Sequence, residues 1–117
     1  MVFKSEKLER VVQEKPRGGE GSQECFFAFQ MGKAPEGSAF QVLARQILSP
    51  GSSVGYHEHV DNADLYIILS GTGTYTDGNN QKIAVGPGDF TLCARGRSHG
   101  LANTGTEPLV FIAVVAK

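Results

Sequence analysis

The sequence is poor in several residue types and patterns, and each shortage narrows the range of functions. It has no tryptophan, two cysteines and three histidines in 117 residues, and 11 Lys and Arg stand against 12 Asp and Glu. There is no basic stripe, so a nucleic-acid partner is not expected. The longest apolar run, residues 109–116, is far shorter than the roughly 20 residues of a membrane span, so no membrane partner is expected.

The two cysteines also bear on the cellular compartment. Cys25 and Cys93 are not spaced as a metal-binding pair, and no secretory signal peptide is recognisable. Reduced thiols are typical of chains that stay in the cytoplasm. The sequence therefore predicts a cytoplasmic location.

Glycine is abundant, and it separates short segments that alternate between apolar and polar residues. The 15 glycines and 5 prolines favour many tight turns. About ten short strands follow one another at near-regular spacing, with no amphipathic helix, which predicts an all-β sandwich or barrel. Residues 1–24 are polar and predict an arm or edge segment, and residues 25–117 predict the β-barrel domain.

The last predicted strand, residues 109–115, is apolar on both faces. A second layer of the same chain or a partner subunit has to cover its outer side. Together with the loop-rich amino terminus, this strand predicts a homodimer.

Two of the three histidines, His57 and His59, are two residues apart. On a strand their side chains point to the same face, where two imidazoles can bind one metal ion at about 2.0–2.2 Å each. Such a pair alone is weak support for a metal site, because most His-x-His pairs in proteins bind no metal.

Two groups of residues recur at fixed spacings around the histidines. The first group is Gly51, His57, His59, Asp64 and Gly71, and the second is Gly88, Ala94, Gly96, His99 and Asn103. This arrangement resembles the cupin family, whose two motifs are G-x5-H-x-H-x(3,4)-E-x6-G and G-x5-P-x-G-x2-H-x3-N. The chain departs from them at Asp64, where the family has Glu, and at Ala94, where it has Pro. The resemblance implies the cupin double-stranded β-helix, or jelly-roll, barrel.

The resemblance also implies a metal site. It assigns His57, His59, Asp64 and His99 as ligands of one divalent transition metal ion, with manganese, iron, nickel, zinc or copper as candidates. Asp64 is one methylene shorter than Glu, so it either reaches the ion or holds a bound water or a histidine in place. The alternative is a barrel that has lost its metal and keeps the histidines as buried, hydrogen-bonded groups.

Four further residues are candidates for binding a small-molecule ligand. Gln46 either projects into the barrel or is a satisfied polar core residue, and Tyr66 and Phe90 line the cavity or belong to the hydrophobic layer. Arg97 precedes His99 and either binds a carboxylate at the mouth or remains solvated.

We predict the function from the chemistry of a metal ion that keeps coordination positions open for a ligand. Such an ion can bind and polarise a small carboxylate or another oxygen-rich molecule. The chain resembles the small single-domain cupins described as oxalate-decarboxylase-like, which implies a metal-dependent lyase, isomerase or dioxygenase. The alternative is a non-catalytic binding or sensor module, because the fold alone does not define the reaction.

Overall fold

A computed structural model of the protein describes all residues, 1–117, and consists almost entirely of strands. The strands are β1 (Glu9–Glu14), β2 (Ser22–Phe29), β3 (Phe40–Leu48), β4 (Ser53–Glu58), β5 (Ala63–Ser70), β6 (Gly73–Thr76), β7 (Lys82–Val85), β8 (Phe90–Cys93), β9 (Ser98–Ala102) and β10 (Leu109–Ala116). Two three-residue 3-10 turns, Ser5–Lys7 and Pro16–Gly18, are the only helical segments. No helix is long and apolar enough to cross a membrane.

The ten strands form two antiparallel sheets. The larger sheet has the order β1-β2-β3-β10-β5-β8, and the smaller has the order β4-β9-β6-β7. Sequence neighbours such as β3 and β4 lie in different sheets, which is typical of a jelly roll. The predicted all-β jelly-roll class is therefore confirmed.

The main hydrophobic core lies between the two sheets. Burial alternates along strands such as β2 and β10, and in β10 every second residue from Leu109 to Val115 is buried. The buried apolar residues of this core come from both sheets and are Leu48, Val54, Tyr66, Ile68, Tyr75, Val85, Leu101, Leu109, Phe111 and Ala113.

The last strand, β10, lies in the middle of the larger sheet and pairs with β3 on one side and β5 on the other. Its backbone is therefore fully used within the chain, and it offers no edge to a partner's sheet. Its second apolar face belongs to the outer side of the larger sheet, where Ile112 stands opposite Ile67 of β5.

The amino-terminal segment is built onto the larger sheet. Residues 9–14 form β1, which pairs with β2 along its whole length and occupies the edge of the sheet. The second strand starts at Ser22. Between them, the Pro16–Gly18 turn leaves the edge of the larger sheet and packs against β4 of the smaller one.

Candidate metal centre

Three of the four predicted ligands are placed by strand register. His57 on β4 and His99 on β9 are directly opposite each other in the smaller sheet, with ring centroids 4.8 Å apart. Asp64 lies near the start of β5 in the larger sheet and is buried. The two histidines and the carboxylate therefore approach one point from opposite sheets.

His59 lies just beyond the end of β4, where its backbone is fixed by the turn that precedes β9. Its N–H donates to the Arg97 carbonyl oxygen at 2.9 Å, and its carbonyl oxygen accepts from the Gly96 N–H at 2.6 Å. Gly96 has a φ of 81°, a left-handed conformation that glycine adopts readily. This turn holds the third imidazole toward the other two.

The donor atoms of these four residues are tightly grouped. The Nε2 atoms of His57 and His59 are 3.0 Å apart, and Asp64 Oδ2 lies 3.2 Å from Nε2 of both His59 and His99. All four donor atoms lie within 4.8 Å of one another. Ligand atoms about 2.1 Å from one ion and at right angles are about 3.0 Å apart, so these separations match a shared ion.

The other ring nitrogen of each histidine has its own partner. These Nδ1 contacts are to the Gly55 carbonyl oxygen at 2.6 Å for His57, Asn62 Oδ1 at 2.8 Å for His59 and the Tyr75 hydroxyl at 2.9 Å for His99. Carbonyl oxygens only accept, so Nδ1 of His57 and His59 carries the proton and each Nε2 presents a lone pair. The Tyr75 hydroxyl can accept in the same way from His99. This arrangement orients metal-binding imidazoles.

The electrostatics of the site favour a bound cation. Burial lowers the pKa of His57 to about 4, so this imidazole is neutral at neutral pH. Burial alone would raise the pKa of Asp64, but the adjacent His59 and His99 imidazoles, each 3.2 Å from its carboxylate, outweigh burial and lower that pKa. The neighbouring Asp64 carboxylate, which favours the protonated imidazole, in turn raises the pKa of His59. A metal ion and a proton on His59 therefore compete for the same negative site.

Two buried atoms at the centre lack a hydrogen-bond partner, namely Asp64 Oδ1 and His99 Nε2. Unsatisfied polar atoms are costly in a protein interior, and His99 is completely buried. A cation among the three Nε2 atoms and the carboxylate would satisfy His99 directly. The residues present therefore fit a single divalent metal ion, and the donor set suits a transition metal.

Three of the candidate ligands, His57, His59 and Asp64, line a cavity of about 530 Å³. Gln46 and Tyr66, both predicted to contact a ligand, line this cavity. The Tyr66 ring stacks on His99 with ring centroids 5.0 Å apart. Additional glutamines line the walls, and Gln23 donates from Nε2 to Gln13 Oε1 at 2.8 Å. The volume is within the range of pockets for small molecules, about 300–1,000 Å³.

The structure does not bring Phe90 to this cavity. Residues opposite each other on neighbouring strands point to the same side, and the buried pair Tyr66 and Thr91 fixes the inner side of β8. Phe90 therefore points outward and is 69% exposed. The alternation of β8 places Thr91, and not Phe90, toward the interior.

Arg97 also lies away from the cavity. Its guanidinium donates to Asn79 Oδ1 at 3.1 Å and borders a separate cleft near the β6–β7 hairpin. Its backbone carbonyl, rather than its side chain, serves the metal centre, through the hydrogen bond from His59.

Three residues that the structure places at the site are not indicated by the sequence motifs. Tyr75 and Asn62 hold the histidines, and Arg17 lines the cavity from the amino-terminal segment. Asn62 lies three residues after His59 within the first motif, which offers a local signal. Tyr75 and Arg17 are distant in sequence from every ligand, so no spacing indicates them.

Comparison with known proteins gives a consistent family assignment. A family model described as a cupin domain matches residues 44–115. An oxalate-binding protein of Thermotoga maritima is 35% identical over 98% of this chain and 93% of its own length. The crystal structure of a predicted oxalate decarboxylase from Thermotoga maritima covers 99% of this chain and 98% of its own, with a TM-score of 0.87 and 32% identity.

A second solved structure shares the fold at lower identity. It is an uncharacterised protein of Klebsiella pneumoniae with a double-stranded β-helix domain, and it has a TM-score of 0.72 and 23% identity. The alignment covers 98% of this chain and 88% of that one. From the matched domain, the converging histidines and the full-length similarity, we conclude that this chain belongs to the cupin family.

Proposed function

We propose that the protein binds one divalent transition metal ion through His57, His59 and His99 and, through that ion, a small carboxylate. The observation that carries this proposal is the convergence of three imidazole nitrogens and a carboxylate oxygen within 4.8 Å of one another, in a cluster of which three residues line a cavity. When bound, the ion acts as a Lewis acid toward an oxygen ligand. Manganese, iron, nickel, zinc and copper all suit these ligands.

We propose Asp64 as a fourth, direct ligand. Its Oδ2 lies 3.2 Å from two of the three Nε2 atoms, and its Oδ1 has no other partner. These contacts support direct coordination despite the shorter side chain, since the register of β5 brings the carboxylate to the histidines. Asp64→Asn should lower metal affinity, and unchanged affinity would restrict the ligands to the histidines.

The proposed ligand class rests on the site and on the names of relatives. Metal ions with neutral imidazole ligands bind carboxylate oxygens well, and one similar protein is named for oxalate binding. Gln46 and Tyr66 are proposed to contact the ligand, since both line the cavity beside the histidines. A small dicarboxylate such as oxalate is therefore the first probe.

The metal site is tested by elemental analysis of the purified protein together with His57→Ala. We expect about one equivalent of metal in the native protein and a loss of most of it in the variant. Glu14→Gln is the control, because Glu14 is an exposed carboxylate that does not line the cavity. Retention of full metal content by His57→Ala would contradict the assignment.

The same metal site could support catalysis as well as binding. We propose that the metal-loaded protein acts on its carboxylate as a lyase, isomerase or dioxygenase, and the name of the similar predicted oxalate decarboxylase supports the first of these. A panel of small carboxylates and diols, with product analysis by NMR, separates the two functions. Tight binding with no product from any compound would favour the binding or sensor module, for which the named oxalate-binding relative is the supporting observation.

We further propose a homodimer and a cytoplasmic location. The outer face of the larger sheet carries exposed Phe90 and Leu92 beside Ile67 and Leu65, and a second copy of the same face is a self-complementary cover. Two free, buried cysteines support a reducing compartment.

A further inference from the structure

Among the residues that line the cavity, Arg17 is the only lysine or arginine. Three carboxylates, Glu58, Asp61 and Asp64, line the same cavity. An anionic ligand entering this space therefore meets three like charges, and only the metal ion and Arg17 can offset them.

The Arg17 guanidinium is not used by the protein itself. The ion pairs of the chain join Arg10 to Glu24 and join Asp64 to two histidines, and none includes Arg17. No side-chain hydrogen bond within the chain involves Arg17 either. Arg17 is exposed, and its planar guanidinium, with five N–H donors, has no partner within the chain; the geometry of this group matches a carboxylate.

The backbone around Arg17 is fixed to the strand that carries His57. Arg17 itself has a φ of 51° and a ψ of 36°, a left-handed conformation that is unfavourable for a residue with a Cβ. Its carbonyl oxygen packs directly on Gly55, so closely that a Cβ there would collide with it. The Ser53 N–H donates to the Glu20 carbonyl oxygen at 2.9 Å. The backbone of Arg17 is therefore anchored to the strand that carries His57.

The positive charge of Arg17 borders the same cavity as three of the candidate metal ligands, His57, His59 and Asp64. An unpaired cation beside a cation-binding site weakens metal binding. An anion that lies between the metal ion and Arg17 would be attracted by both positive charges and would offset their repulsion.

We propose that Arg17 is the specificity-determining residue of the cavity, and that it binds the free carboxylate of a metal-bound dicarboxylate. This inference rests on the proposed function, since it needs a metal ion and a carboxylate ligand. Arg17 holds the distal carboxylate, and the ion holds the proximal one. The site therefore selects doubly charged acids over neutral molecules of the same shape.

The test compares native protein with Arg17→Gln and Arg17→Lys, each loaded with the metal that the purified native protein retains. Arg95→Gln is the matched control, because Arg95 is an exposed loop arginine outside the cavity. Calorimetry with oxalate, and with oxamide as its neutral analogue, gives the affinities. We expect Arg17→Gln to raise the Kd for oxalate at least about 10-fold, Arg17→Lys to recover part of the loss, and Arg95→Gln to stay within about 2-fold.

Metal affinity without oxalate is the second readout, and it separates specificity from structure. Removal of a neighbouring cation should leave the Kd for metal unchanged or lower it in Arg17→Gln. A loss of metal affinity together with a lower melting temperature would assign Arg17 a structural role and overturn the inference. Equal oxalate affinity in native and Arg17→Gln proteins would also overturn it while leaving the proposed function intact. Native protein that binds metal but no oxalate would refute the proposed ligand class and the inference with it.

Discussion

At the scale of single residues, the site depends on what lies behind each imidazole. All three histidines present Nε2 to the centre, and each Nδ1 has a separate acceptor. Such partners fix both the protonated nitrogen and the angle of the ring, so that little reorganisation is needed when a metal binds. Tyr75 is the partner of His99, and it is 6% exposed.

Replacing Tyr75 by Phe tests this positioning role. Tyr75→Phe removes the acceptor for His99 Nδ1 and keeps the ring in the core, so we expect metal affinity to fall about 10- to 100-fold. Tyr56→Phe is the control. It also removes one tyrosine hydrogen bond, which the hydroxyl donates to the Asp77 carbonyl oxygen, but on the exposed side of β4. Isothermal titration with metal measures both variants. Equal affinities would refute the role of Tyr75.

The two cysteines give a second prediction at this scale. Burial raises the pKa of Cys25 to about 11, although a hydrogen bond with Gln46 acts in the opposite direction, and burial also raises the pKa of Cys93. Thiolates are the reactive form, so neither thiol should react rapidly with a thiol reagent at pH 8 in the native state. Both should react in guanidinium chloride. Fast labelling of native protein would contradict the burial of these groups.

The raised pKa of Cys25 also has a consequence for stability. The thiol ionises near its ordinary pKa of 9.0 in the unfolded chain but stays protonated to about 11 in the folded one. The folded state therefore binds more protons between these values, and the contribution of Cys25 to the free energy of unfolding declines as pH rises through this range.

At the scale of elements, β4 is the strand around which the site is assembled. It carries His57, leads into His59 and supports the Pro16–Gly18 turn that carries Arg17. The turn approaches so closely because Gly55 and Gly19 have no side chains, and either Cβ would overlap the opposite backbone. The glycine pair thus couples the amino-terminal segment to the metal centre.

Gly55→Ala tests this contact. Gly55 has no left-handed φ, so the new methyl group acts through its collision with the Arg17 carbonyl oxygen rather than through backbone strain. We expect a loss of roughly 1–3 kcal/mol in the free energy of unfolding, together with weaker oxalate binding. Gly86→Ala is the control, because the nearest atom to its Cβ position is 3.9 Å away. Urea denaturation compares the two, and equal stability would mean that the turn yields without cost.

At the scale of the whole molecule, the larger sheet has one face in the core and one face outward. The outward rows contain apolar pairs across three strands: Phe90 with Ile67, Ile67 with Ile112, and Leu92 with Leu65. Phe90 and Leu92 are 69% and 68% exposed at the edge strand β8. A second copy related by a twofold axis would bury these rows against themselves.

The proposed dimer is tested by Phe90→Glu combined with Leu92→Glu. Two charges on the proposed interface should shift the protein from dimer to monomer, measured as mass by light scattering after gel filtration. Ile83→Glu is the control, since Ile83 is 46% exposed on β7 of the other sheet. A native protein that is already monomeric, or a double variant that remains dimeric, would exclude this interface.

The strands and the candidate metal ligands could be predicted from the sequence because both depend on local periodicity. Alternation predicted strands such as Phe40–Leu48, which the structure contains with the same bounds. The direction of a side chain that depends on strand pairing was harder to predict from the sequence. Phe90 was a candidate for the cavity or the hydrophobic layer, yet the β5–β8 register directs it outward. Arg97 was a candidate for a carboxylate contact or a solvated charge, and its side chain donates to Asn79.

The sequence by itself determined the all-β class, the cupin family and the candidate ligands His57, His59, Asp64 and His99, because these depend on short-range spacing within two motifs. Only the tertiary structure decided which side chains meet. Strand pairing set His57 opposite His99, and the packing of a distant turn on β4 brought Arg17 to the cavity. Contacts between segments far apart in the chain arise from packing between sheets, for which the local sequence pattern carries no signal.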